Sequence, residues 1–152
     1  MEPVKQYSHP QLFWDEVSPH LLKQEAKNSL CLGLAYTFTR DAKYCLHQSA
    51  LFDGNKLLGT LVASQYRTNV NLLPSPVQNN QAAEVLYSQF LQRNCAITGV
   101  VGEQSTAEIY RGLIHRGGGR TKTYMSQGIY RCRKVNMPKT KEGLTLRKAQ
   151  RK

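Results

Sequence analysis

Asp53-Gly54-Asn55 lies between two apolar, β-rich runs, "KYCLHQSALF" and "KLLGTLVASQY", and no other short feature restricts the fold as strongly. These three residues accept the positive φ angles of a tight hairpin, so the two runs are expected to pair as antiparallel neighbours. Tyr44, Leu46, Ala50 and Phe52 alternate along the first strand, and Leu57, Gly59, Leu61 and Ala63 along the second, which implies one buried face. "VNLL" adds a short third strand. Such a meander needs a cover, and the flanking segments have helical period.

From Gln11 to Thr39 the residues Leu22, Ala26, Leu30 and Leu34 recur every fourth position, widened by Leu21, Cys31 and Phe38. Pro19, preceded by Ser18 as a cap, is the expected start of the second of two helices here. Gln78 to Arg93 is again helical, with Ala82, Val85, Leu86, Phe90 and Leu91 toward the core, and "CAITGVV" follows as a strand. Glu103 to Arg116 forms another helix, capped by Ser105 or Thr106, with Glu108 completing a capping box and Ala107, Tyr110, Leu113 and Ile114 on its apolar side. The glycines at 117–119 end it, and "TKTYMSQGIYRCRKV" is the expected last strand, bent or bulged at Gly128. The order α-α-β-β-β-α-β-α-β makes an α+β or mixed-sheet protein without internal repeats.

A chain of 152 residues buries one core, and its 40% hydrophobic and 20% charged content is that of a globular protein. One domain is expected over residues 1–138. Cys31, Cys45, Cys95 and Cys132 are too widely spaced for a zinc motif or a dense disulfide framework, and read as small buried hydrophobes in a reducing compartment. The N-terminus lacks the cationic and apolar parts of a signal peptide, and the longest apolar-rich run covers ten residues, too few to span a bilayer. A soluble, cytoplasmic protein is expected. The net charge of +11 suggests anionic partners, but +5 of it belongs to residues 139–152, "KTKEGLTLRKAQRK". That basic tail reads as a solvated end or linker sooner than as a nucleic-acid contact, so nucleic acid is not the expected partner.

The stretch "ITGVVGEQSTAEIYRGLIHRGGGRTKTYMSQGIYRCRKVNMP" resembles part of predicted bacterial acetyltransferases that carry two GNAT (N-acetyltransferase) domains in tandem. The matching features are Gly99-Val100-Val101-Gly102, Ala107, and Tyr130 through Val135 to Pro138. "HLLKQEAKNSLCLGLAY" resembles the long second helix of the same N-terminal half, and the element order is that of the superfamily. The resemblance covers about residues 10–149 and implies a mixed central sheet with helices on both faces. It also implies a standalone or truncated N-terminal half, since the basic tail resembles the segment that leads into the second domain. Its partners would be that second domain or, through an open sheet edge, a second copy.

The resemblance implies acetyl-coenzyme A as cofactor, gripped by a glycine-rich turn after the third meander strand whose N–H groups and helix N-terminus face the diphosphate. The matching stretch here, "LLPSPVQNNQAAEVL", has no glycine, and Pro74 and Pro76 carry no N–H at all. What remains is the helix start, where Asn79 or Asn80 caps the backbone or holds an anion. Acetyl transfer also needs a base and a proton donor. Tyr110, on the helix where the superfamily places its donor, stands three residues after Ala107 instead of four, and core packing competes for it. Glu103, near a strand end, is the candidate base. His9, His20, His47 and His115 show no metal-ligand spacing, so no metal is expected, and "HRGGGR" at 115–120 reads as a helix terminus. The expected function is a GNAT-like acetyltransferase-family domain, degenerate in its own coenzyme loop. The alternatives are a small active N-acetyltransferase with an atypical loop, or a module that uses its basic tail on nucleic acid.

Overall fold

The computed structural model describes residues 3–127. A two-residue strand β1 (Lys5–Gln6) precedes helices α1 (Pro10–Leu21) and α2 (Glu25–Arg40), which a short 3-10 turn separates. Strands β2 (Cys45–Asp53), β3 (Lys56–Tyr66) and β4 (Asn69–Pro74) follow, then helix α3 (Asn80–Leu91), strand β5 (Gly99–Val100) and helix α4 (Gln104–Arg116). The sheet runs β1-β2-β3-β4-β5, antiparallel throughout except for the parallel pair β4–β5. This is the expected α+β class with a mixed sheet, and the hairpin turns where Gly54 takes a φ of +55°. Among the described residues no helix is long and apolar enough to cross a membrane.

The meander is buried on both faces, not one. Phe13 and Val17 of α1 with Cys31, Ala35 and Phe38 of α2 cover Ala50, Phe52, Val62 and Leu73. On the opposite face Ala82, Leu86 and Phe90 of α3 and Tyr110 and Leu113 of α4 cover Leu51, Leu61, Ala63 and Leu72. Each fully buried Leu, Val or Phe contributes about 1.5–3 kcal/mol, so both layers are needed to hold so small a sheet. Two bulges explain why the alternation misleads. Leu46 is an extra residue between the pairs Cys45↔Ser64 and His47↔Ala63, and Leu58 between Leu51↔Gly59 and Phe52↔Leu57. Each bulge changes the face on which later side chains fall, so Leu46 packs toward α3 and α4 while Ala50 and Phe52 face α1 and α2.

The helices differ from expectation in detail. Pro19 does not begin the second helix; it lies in the last turn of α1, whose start is Pro10, capped by the His9 ring on the Gln11 N–H. The break falls later, where Asn28 of α2 reaches back and its Nδ2 donates to the carbonyls of Leu21 (2.9 Å) and Gln24 (3.2 Å). A buried amide thus satisfies the end of α1 and sets the bend. Accordingly the buried stripe of α2 is Asn28, Cys31, Leu32, Ala35 and Phe38, while Leu22 and Leu30 are half exposed. Leu91 of α3 is likewise half exposed, and Tyr87 and Ala83 join the core instead.

Thr121–Gln127, the first half of the expected last strand, carries no strand and is exposed throughout. The rest of that segment, the tail at 139–152 and Cys132 lie outside the described residues. The architecture gives the molecule two ends. At one meet the β2–β3 turn, the C-terminal ends of β4 and β5, and the first residues of α3 and α4. At the other meet the end of α2, the start of β2 and the β3–β4 turn.

Candidate functional site

In a sheet of this kind a ligand is expected outside the carboxyl ends of parallel strands, where the connections to the helices begin. Here that place is the turn Pro74–Asn79, between β4 and α3. Two of its four backbone N–H groups are already committed. The Ser75 N–H donates to the Thr60 carbonyl (3.1 Å), and the Ser75 Oγ accepts the Thr60 N–H (2.9 Å). The Gln78 N–H donates to the Leu58 carbonyl (2.9 Å). With Pro74 and Pro76 lacking N–H groups, four of the five residues from 74 to 78 have none to offer a ligand.

Packing fixes the same turn from above. Val77 lies over Gly59, where an added Cβ would stand 2.9 Å from Val77 Cγ1 and 3.3 Å from Leu86 Cδ1. Gly59 therefore permits the turn to lie down on β3. Gly102 performs a similar service between the strand ends, for its missing Cβ would meet the Pro74 carbonyl at 3.2 Å and the Pro74 ring at 3.4 Å. The pair β4–β5 stays hydrogen-bonded to that point through Thr98 N–H to the Val70 carbonyl (2.8 Å) and Val101 N–H to the Leu72 carbonyl (2.9 Å). The strand ends touch.

The residues singled out from the sequence gather around this end without converging. Asn79 is the cap of α3, its Oδ1 accepting the Ala82 N–H at 2.8 Å, and Asn80 is the exposed first residue of the helix. Glu103, not Ser105 or Thr106, caps α4. Its carboxylate accepts from the Thr106 N–H (3.3 Å), from the Thr106 hydroxyl (3.4 Å) and from the Ser105 hydroxyl. A carboxylate satisfies this terminus better than a hydroxyl because it also meets the positive end of the helix. The Ser105 hydroxyl above all, with the two Thr106 donors, holds its pKa below the usual carboxylate range, which weakens it as a base.

Tyr110 is fully buried, edge-on to Tyr87 at 5.9 Å, with its hydroxyl unpartnered. Burial raises its pKa. A side chain sealed in the core reaches no substrate in this conformation. The glycines after α4 close the helix, Gly117, Gly118 and Gly119 donating to the carbonyls of Leu113, His115 and Ile114.

An open groove of about 560 Å³ runs beside the turn on the α1–α2 side, bordered by Lys23, Asn28, Asp53, Lys56, Ser75 and Gln78. Sequence reasoning missed Ser75 and Asn28. Gly59 carried a legible signal, since glycine inside a strand marks close approach. Elsewhere, burial pushes the thiols of Cys31 and Cys45 up to about 11, so neither is an activated nucleophile. No three His, Cys, Asp or Glu side chains come together as metal ligands among the described residues.

For a diphosphate the turn offers fewer donors than a glycine-rich loop would, because the Ser75 and Gln78 amides are committed to β3 and Pro74 and Pro76 have none. No protein-family model matches the chain, and no curated protein matches it. Among solved structures it is similar to the aminoglycoside N-acetyltransferase AAC(6')-Iy in complex with CoA, with 13% identity, a TM-score of 0.44, and coverage of 85% of this chain and 94% of that one.

Proposed function

We propose that this chain is a GNAT-like acetyltransferase-family domain of degenerate type, which does not itself grip acetyl-coenzyme A through the turn after β4. The observation that carries this reading is the commitment of the Ser75 and Gln78 amides to β3, in a turn where Pro74 and Pro76 have no N–H. The order of elements, with an antiparallel meander followed by a helix and a parallel strand, supports the family side of the reading. Transfer chemistry then belongs to a second domain or a second copy, and this domain supplies packing or acceptor contacts. The free thiols of Cys31, Cys45 and Cys95 support a cytoplasmic location.

One observation favours a second reading, an active N-acetyltransferase that holds its coenzyme differently. The groove beside the turn is wide enough for a small acceptor. Thermal unfolding of the full chain with and without acetyl-coenzyme A separates the two. A ligand that binds only the folded form at 100 times its Kd stabilises by about 2.7 kcal/mol. The degenerate domain shows no rise in Tm at millimolar coenzyme; a clear rise favours the active enzyme.

A further inference from the structure

We propose that the end of the molecule opposite the turn is a binding surface for single-stranded polynucleotide. Its bases would stack on Tyr44 and Tyr66, and its phosphates would meet Arg40, Lys43, Arg67 and Arg93. This inference is independent of the acetyltransferase reading, since it uses the other end of the sheet and none of the same residues.

Two exposed tyrosines lie side by side there. Tyr44, at the entry to β2, and Tyr66, at the end of β3, have ring centroids 5.4 Å apart and planes inclined by 58°. They are 37% and 53% exposed, an unusual outlay of aromatic surface on a small domain. Cations accompany them. Arg67, held at a φ of +54° in the β3–β4 turn, places its guanidinium 5.5 Å from the Tyr66 centroid, and the Lys43 ammonium stands 5.2 Å from the Tyr44 centroid. Arg40, at the end of α2, lies 5.0 Å over Tyr36, and Arg93, just after α3, donates from Nε to His47 on β2 (3.0 Å).

None of these four cations is paired with a carboxylate among the described residues, whereas Lys5, Arg111 and Arg116 each are. Asp41 is the one acidic residue in the segments that form this end, 40–44, 64–69 and 91–95, and its carboxylate accepts the Lys43 backbone N–H. The end is therefore cationic and aromatic at once. Unneutralised cations attract any polyanion, but tyrosine faces reward planar bases, and a duplex keeps its bases stacked on one another. Arginine stacked on a ring keeps its outward N–H donors for phosphate. An acidic peptide would use the charges and leave the rings without a partner.

The test uses the full chain with fluorescein-labelled oligo-dT and oligo-U of about 12 nucleotides, within the span a single-strand surface covers. A duplex of equal length and poly-glutamate serve as competitors. Both single strands are expected to bind, and more tightly than either competitor; a preference for oligo-U or oligo-dT then assigns RNA or DNA as the natural source. Tyr66→Ala and Tyr44→Ala each loosen binding by at least about fivefold, the lower bound for loss of one stacked base, while Tyr66→Phe binds as the parent does. Arg67→Gln lowers the salt slope by about 0.7. Removal of residues 139–152 leaves the tyrosine effects in place. No binding, equal binding of duplex or poly-glutamate, tyrosine variants that fold and bind like the parent, or complete loss with residues 139–152 would each overturn the proposal.

Discussion

The two ends of this sheet use polar groups in opposite ways. At the turn between β4 and α3, backbone donors, a buried serine and two prolines are bound inward to β3 and its neighbours. At the end formed by α2, β2 and the β3–β4 turn, cations and tyrosines stand with Asp41 as the one acidic residue and no ion pair to it among the described residues. A fold of this kind offers its turn end to ligands by default, yet here the Ser75 and Gln78 amides of that end are turned inward, while the cations of the opposite end are free of ion pairs among the described residues. Position in a fold gives the opportunity for a site; the state of each donor decides whether it is taken.

The contrast can be broken by experiment. The largest effect expected is one of pH, at His47, whose buried ring joins β2 to Arg93 and Phe90 on the α3 side near the open end. Its Nδ1 accepts from Arg93 Nε (3.0 Å), so Nε2 carries the proton toward Ser49 Oγ (2.9 Å). Burial, and then the Arg93 charge, push its pKa down from 6.5 to about 4. Below pH 6.5 the unfolded chain takes up a proton that the folded one refuses. The stability contributed by the neutral ring is thus whole above 6.5 and is lost as pH falls toward 4. By pH 5 the loss should reach about 2 kcal/mol, read as the difference in urea stability between parent and His47→Gln across pH 7.5 to 5.

At the closed end, Ser75→Ala leaves the buried Thr60 N–H without an acceptor and should cost about 1–3 kcal/mol in the same assay. Asn79→Ala removes the α3 cap and should cost about 1 kcal/mol. Tyr66→Ala at the open end should change stability by less than about 0.5 kcal/mol, because the ring is half exposed. A large loss there, with none at Ser75, would invert the comparison.

The hairpin at Asp53-Gly54-Asn55, the sheet class, the start of α3 and the end of α4 were legible because each depends on a few adjacent residues: turn chemistry, a cap, a run of glycines. The boundary between α1 and α2 was not, because it is set by Asn28 reaching back seven residues, and a helical proline near a helix end costs too little to force the break. The faces of β2 and β3 were misread because a bulge leaves no mark on apolar periodicity. At the candidate site, the missing glycines and the two prolines could be read directly. The partners of the remaining amides could not, since Thr60 and Leu58 become neighbours of the turn only once β3 and β4 pair. Glu103 was read as a base because a carboxylate near a strand end serves either role until its donors are known.

Amide hydrogen exchange at Ser75 and Gln78 tests the central claim most directly. Both N–H groups are predicted to be strongly protected in the free chain and to keep the same protection and chemical shift when acetyl-coenzyme A is added in excess. Rapid exchange in the free chain, followed by protection and a shift on adding the coenzyme, would show that the turn opens to hold a diphosphate and would contradict the account.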